Sequence, residues 1–168
     1  MSPVVGYSYI GWNQSKLGQP TWFADKRVRQ AMTFLTDRQR IIEEIMMGYG
    51  EVAISPFNPR TEQHNKTLTA RDYDLDRARE LLQSAGFSDQ DGDGLLEDSE
   101  GKPFSFEMVY FQDNQDTRRT VLLLKDLYAR AGVRLVPKPT EWSVMLDLLK
   151  NKDFDAITLG WTSGLETD

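Results

Sequence analysis

Apolar positions along this chain follow two periods, and the places where the period changes divide it into elements. Val28, Ala31, Met32 and Leu35 fall at i, i+3, i+4 and i+7, which predicts a helix with one buried face. Ile41, Ile42, Ile45 and Met46 repeat the pattern and predict a second helix with its own buried face. Asp25 and Asp37 stand where each would cap a helix, offering a side-chain oxygen to unpaired backbone N–H groups, and Gly48 and Gly50 end the second. A third helix runs from a cap at Asp74 to Gly86, with Leu75, Ala78, Leu81, Leu82 and Ala85 on its apolar face. Ahead of all three, Val4 to Trp12 is aromatic and β-branched and alternates, which predicts a strand at the edge of the domain. Gln14 to Pro20 reads as loop. Between Gly48 and Arg71 no period survives; Pro56, Asn58 and Pro59 mark a surface loop.

From Phe104 onward strands and helices alternate. Phe104, Phe106, Met108 and Tyr110 have the period of a strand. Thr117 to Ala131 follows as a helix with Val121, Leu124, Leu127 and Tyr128 inward. Val133 to Val136 is a short strand, Thr140 the expected cap of a helix carrying Trp142, Met145, Leu146 and Leu149, and Phe154 to Trp161 the last strand. Strands separated by single helices imply parallel pairing with right-handed crossovers, so the fold class is α/β: a mixed, mainly parallel sheet flanked by helices. Ligands of such sheets bind beyond the carboxyl ends of the strands.

Composition narrows the function. At 168 residues, with 39% hydrophobic and 27% charged residues, the chain is one lobe with an ordinary globular balance. A net charge of −6 argues against a nucleic-acid binder, because phosphate contacts need excess Lys and Arg. No stretch is long and apolar enough to span a membrane, and the N-terminus does not read as a signal segment. The absence of cysteine excludes disulfides and thiolate chemistry. The single histidine, His64, sits in the predicted loop and reads as an exposed loop residue rather than a ligand or catalyst.

One local motif carries chemistry of its own. Asp89-Gln90-Asp91-Gly92-Asp93-Gly94 followed by five residues and Glu100 fits the calcium loop D-x-D-x-D-G-x5-E. A hard cation needs several oxygens converging on one point. Asp89, Asp91 and Asp93 supply carboxylates, Leu95 a backbone carbonyl, and Glu97 and Glu100 complete the candidate set for a structural Ca²⁺. The other reading is a solvated acidic turn between a helix and a strand. Lys102-Pro103-Phe104 opens a strand where an exiting helix would follow a calcium loop of the usual kind.

The order of these features resembles family 5 extracellular solute-binding proteins, the peptide- and nickel-type receptors of ABC importers. The resemblance is carried by Asp25-Lys26-Arg27-Val28-Arg29-Gln30-Ala31, Asp37-Arg38 and the Gly-x-Gly at Gly48. Further along, Tyr73-Asp74 leads to Ala85-Gly86-Phe87, and Ala131-Gly132-Val133, Glu141-Trp142, Phe154-Asp155 and Gly160-Trp161 follow in family order. It runs from about Tyr7 to Asp168. It implies a lobe of the type II periplasmic-binding-protein fold, a piece of a larger two-lobed receptor. The implied mechanism is hinge closure on a solute and delivery to a membrane permease from the periplasm or the extracellular face. Such a receptor is expected to be monomeric.

The resemblance also implies site residues. The tryptophans of the Glu-Trp and Gly-Trp motifs line the ligand cavity in the family, and they correspond to Trp142 and Trp161. Trp142 also fits a core position, and Asn13, at the end of the first strand, also fits a plain strand-terminating turn. Peptide-binding members place an Asp three residues after the Gly-Trp tryptophan; Gly164 stands there, so Glu166 or Asp168 would have to meet a peptide's ammonium group, and an oligosaccharide or another organic solute stays open. Two other classes compete with the receptor. A calcium-dependent interaction module would use the 89–100 loop alone. A hydrolase with paired carboxylates finds no nucleophile–base pair to support it.

Overall fold

The computed structural model describes residues 5–59, 62 and 64–163. Three of its helices are set by the caps that the sequence supplies. Asp25 accepts from the Arg27 N–H at 2.7 Å and starts α1 (Lys26–Leu35). Asp37 accepts from Arg40 N–H at 3.0 Å and starts α2 (Arg38–Glu44). Asp74 accepts from Arg77 N–H at 2.9 Å and starts α3 (Leu75–Ser84). Each bond satisfies an N–H that has no partner within its own helix.

The sheet has four strands in the order β1 (Val5–Trp12), β6 (Ala156–Ser163), β4 (Ser105–Phe111), β5 (Arg134–Thr140). β4 is parallel to both of its neighbours, and β1 runs antiparallel to β6 along its whole length, from Val5↔Ser163 to Trp12↔Ala156. The first strand is therefore an edge strand. Two short strands, β2 (Ser15–Lys16) and β3 (Gln19–Pro20), form a hairpin where the sequence reads as loop. Its turn residues Leu17 and Gly18 both have positive φ, the geometry that a two-residue hairpin turn requires.

The two crossover helices lie on opposite faces. α4 (Gln115–Ala129) contributes Val121, Leu124, Leu127 and Tyr128 to the main core, where they meet Phe104, Phe106, Met108 and Tyr110 of β4 and the inner faces of α1 and α3. α5 (Trp142–Asn151) covers the other face, where Met145 packs with Val109 and Ile157. Burial on both faces explains why Val109 is buried beside the alternating Met108 and Tyr110: a covered sheet has no polar side.

Four further expectations change. α2 buries no residue of its own; Ile45 is buried at its C-terminal end, Ile41 is partly buried against the core, and Met46 is exposed. The helix ends at Glu44, and only its edge meets the core. β5 continues through Pro137 and Pro139 to Thr140, because an edge strand tolerates proline where no ladder bond is needed. In consequence Glu141, not Thr140, caps α5, accepting from Ser143 N–H at 3.0 Å. Finally, α4 starts at Gln115 under the cap of Asn114, two residues before the expected Thr117.

Candidate functional site

Two crossovers on opposite faces create a switch point at the adjacent carboxyl ends of β4 and β5. The connection from β4 passes over one face to β5, and the connection from β5 passes over the other face to β6. The helices leave toward opposite faces there, which is the arrangement at which open α/β sheets bind ligands. β6 and β4 are in register only at Met108↔Ala156 and Val109↔Ile157. Beyond Ile157, β6 continues to Ser163 with β1 as its sole strand partner among the described residues. β1 and β6 thus leave the sheet as a two-stranded ribbon beside the end of β4.

Aromatic side chains collect at this end. Strand parity puts Tyr7, Tyr9, Leu159 and Trp161 on the same face as Ile157, the face that α5 covers farther down. Tyr7 and Tyr9 are half-buried, with ring centroids 6.1 Å apart. Trp161 is 62% exposed. At the switch point, Trp142 opens α5 and makes a T-shaped ring contact with Phe111, the last residue of β4, at a centroid distance of 5.9 Å and an interplanar angle of 79°. It is 47% exposed, so the ring is part packing and part surface. Trp142 and Trp161 therefore both sit at strand carboxyl ends, without a ring contact between them among the described residues. Neither β1 nor β6 carries an ionisable side chain apart from its tyrosines. Glu166 and Asp168 lie outside the described residues, as does Gly164.

Charged groups gather near the opposite ends of the strands. Asp155, just before β6, accepts from Glu107 N–H at 2.9 Å and from Lys16 Nζ at 3.2 Å. Glu107 pairs with Lys138 at 2.9 Å, and that bond, first among its causes, raises the Lys138 pKa. Asn13 belongs to this end too. Its amide donates to Phe154 O at 2.7 Å and Lys152 O at 3.1 Å, and its backbone N–H donates to Asp155 O at 2.9 Å. Lys152 is the left-handed residue that ends α5, with φ 55°. Asn13 is thus the turn residue that fastens the end of α5 to the end of β1. The structure places it about 20 Å along the ribbon from Trp161 and does not bring the two together.

The acidic loop lies elsewhere, between α3 and β4. Carboxylate oxygens of Asp89, Asp91, Asp93 and Glu97 all lie within 4.8 Å of one another. Glu97 is only 7% exposed, and bridges with Ser88 and Pro103 aim it inward. Glu100 is exposed and falls outside this group, so the fourth carboxylate is Glu97 rather than the twelfth residue of the motif. The reason is that the chain turns into β4 instead of an exiting helix. The carboxylates also accept loop N–H bonds: Asp89 from Gly92 and Gly94, Asp91 from Asp93, Asp93 from Leu95 and Glu97 from Gln90. Each oxygen has a second lone pair, so an all-oxygen donor set remains that suits a hard cation. Leu96 is partly buried against the core. Two open hollows of about 320 and 300 Å³ flank this loop, and neither is lined by Trp142 or Trp161.

Comparison with known proteins agrees with the sheet and with the motifs. Residues 2–168 match the model of bacterial extracellular solute-binding proteins, family 5 middle. The oligopeptide-binding protein AppA of Bacillus subtilis is 33% identical over 162 residues, covering 94% of this chain and 29% of that protein. Its structure in complex with a nonapeptide superposes with a TM-score of 0.85 over 94% of this chain and 31% of that one. The heme-binding protein A of Haemophilus influenzae is 28% identical over 158 residues, covering 94% of this chain and 26% of that protein. NikZ of Campylobacter jejuni, solved in complex with Ni(L-His), is 28% identical with a TM-score of 0.78 over 96% of this chain and 30% of that one. The chain thus spans less than a third of the length of these relatives.

Proposed function

The chain belongs to the family 5 bacterial extracellular solute-binding proteins, which are transport receptors and not enzymes, and from that premise we propose that it is one lobe of a two-lobed receptor. In this reading the lobe contributes the aromatic half of a solute site and closes on the solute against a second lobe in the rest of the parent protein. The parent hands the solute to an ABC permease from the periplasm or the extracellular face. The observation that carries the reading is the gathering of aromatic residues at the carboxyl ends of the strands: Trp142 at the end of β4 and Trp161 with Tyr7 and Tyr9 at the end of β6. An indole or phenol face packs on a peptide side chain, a sugar ring or an organic cation. The solute is a peptide or a similar organic molecule; AppA supports the peptide. Half a site presents a surface rather than a cavity, which agrees with the hollows lying elsewhere.

The experiment is native mass spectrometry of the parent protein, purified gently, followed by titration of the solute that it carries. A co-purifying organic solute whose affinity falls with Trp161→Ala is expected. Unchanged affinity in both Trp161→Ala and Trp142→Ala would overturn the assignment of the site. A micromolar affinity of the 168-residue chain alone for any peptide would contradict the half-site.

The convergence of Asp89, Asp91, Asp93 and Glu97 favours a second, separate role for the acidic loop, a structural Ca²⁺ site. There the ion would relieve the repulsion of four crowded carboxylates and brace the turn into β4.

A further inference from the structure

Two asparagines of the chain head the tripeptide Asn-x-Ser/Thr, in Asn13-Gln14-Ser15 and in Asn65-Lys66-Thr67. This is the acceptor pattern for N-linked glycans on exported proteins. The local turn does not separate the two. Each carboxamide oxygen accepts the backbone N–H two residues on, from Ser15 at 3.3 Å and from Thr67 at 3.0 Å. Tertiary contacts do separate them. The Asn13 side-chain nitrogen donates to Phe154 O at 2.7 Å and to Lys152 O at 3.1 Å. Both of its protons are used, and a sugar on that nitrogen would break at least one bond that holds the end of α5.

Asn65 carries no such load. Asn65, Lys66 and Thr67 are all exposed, and the Asn65 side-chain nitrogen makes no hydrogen bond among the described residues. The three residues lie in a turn closed by Leu68 N–H to Asn65 O at 3.3 Å, within the irregular segment between α2 and α3. Thr67 Oγ1 adds a second bond to Asn65 Oδ1 at 2.8 Å. The hydroxyl and the N–H of one residue thus converge on the carboxamide oxygen and leave its nitrogen unengaged. That arrangement has a chemical consequence. A carboxamide nitrogen is a poor nucleophile until it loses a proton, and donors on Oδ1 favour the form that carries negative charge there.

We propose that Asn65 is a glycosylation site of the exported parent protein, and that Asn13 is not. The donor class is an oligosaccharide linked through its C1 to a polyprenyl phosphate, presented by a transferase on the outer side of the membrane. The Asn65 Nδ2–C1 bond forms as the C1–O bond breaks. The lipid phosphate leaves with the electron pair, and the Nδ2 proton passes to a base of the transferase. A glycan here would cover the peptide bond after Lys66, at a loop position of the kind that proteases nick first. The proposal rests on the reading of the parent as an exported receptor.

The test is peptide mapping by mass spectrometry of the parent protein isolated from its own host. The peptide carrying Asn65 is expected to bear added sugar mass. That mass should be lost entirely in Asn65→Gln and in Thr67→Val and kept in Thr67→Ser, which preserves the hydroxyl, and the peptide carrying Asn13 should be unmodified throughout. All of these substitutions are at exposed positions, so unfolding is expected to be unchanged by them. A bare Asn65 in exported parent protein overturns the proposal, as does sugar that persists in Thr67→Val or sugar found on Asn13. The receptor reading fails separately: solute binding insensitive to Trp161→Ala and Trp142→Ala would sink that site and leave a glycan on Asn65 standing.

Discussion

Trp142 and Phe111 form a T-shaped ring pair at 5.9 Å, and this contact joins the first residue of α5 to the last residue of β4. Trp161 has no such ring contact among the described residues and is 62% exposed. The two tryptophans should therefore separate in experiment. Trp161→Ala is expected to leave the stability of the chain within about 0.5 kcal/mol, as for an exposed side chain, while weakening solute binding by the parent by about 2 kcal/mol, roughly thirtyfold. Trp142→Ala is expected to lose both stability, by about 1 kcal/mol for its aromatic pair, and affinity. Urea unfolding and calorimetric titration of the parent measure the two quantities; a large loss of stability in Trp161→Ala contradicts the exposed placement.

In the core, Thr36 Oγ1 and Tyr128 Oη are 2.8 Å apart, and the Thr36 hydroxyl also donates to Met32 O at 2.8 Å. The threonine has one proton, so Tyr128 donates to it. Burial pushes the Tyr128 pKa far up, which keeps the phenol protonated as that donor. Tyr128→Phe removes the donor and is expected to cost about 1 kcal/mol. Thr36→Val leaves a fully buried phenol unsatisfied and is expected to cost more, roughly 1–3 kcal/mol. Equal losses in urea unfolding would contradict this direction of donation.

For the acidic loop, calorimetric titration of metal-stripped protein with Ca²⁺ is expected to give heat. Glu97→Gln should weaken the response strongly and Glu100→Gln barely, because Glu97 stands in the carboxylate cluster and Glu100 does not. Asp93→Asn serves as a second variant, since Glu97 is buried and also holds Gln90 N–H. The absence of heat at millimolar Ca²⁺ would remove the cation from the structure's account.

The cap at Asp25 predicts a pH dependence. The hydrogen bond from Arg27, ahead of the opposing burial, holds the Asp25 pKa below its ordinary value of 3.8. A lowered folded pKa means that the carboxylate stabilises the fold above about pH 4 and loses that contribution as pH falls through the folded value. The exposed Glu141 cap, lowered mainly by its bond from Ser143, acts in the same direction. Asp25→Asn keeps a capping oxygen but no charge, so its stability should fall less steeply than the parent sequence on acidification below pH 4. Thermal unfolding across that range checks it; parallel curves would dismiss the charge.

How much of this was legible beforehand depended on whether the signal was local. Asp25, Asp37 and Asp74 announced helix starts because a cap needs only a side chain and the next three amides. Phe104, Phe106, Met108 and Tyr110 announced a strand because alternation is a property of the strand itself. The family and its mainly parallel sheet followed from such local strings in order. The true extent of β5 was hidden because Pro137 and Pro139 argue against a strand until it is known to lie at an edge. Glu97 stood in the candidate set from the start, but that Glu100 falls outside the cluster was hidden, because the motif presumes an exiting helix.

The sequence by itself determined the elements, their order and the carboxylate spacing, since these depend on residues within a few positions of one another. Tertiary structure alone decided that α4 and α5 cover opposite faces and that β6 parts from β4 after Ile157. It also decided that Asn13 and Trp161 lie toward opposite ends of one ribbon. Those outcomes depend on which strand lies beside which, and that is fixed by burying both faces of the sheet at once, over separations of up to about 160 residues that no local pattern encodes.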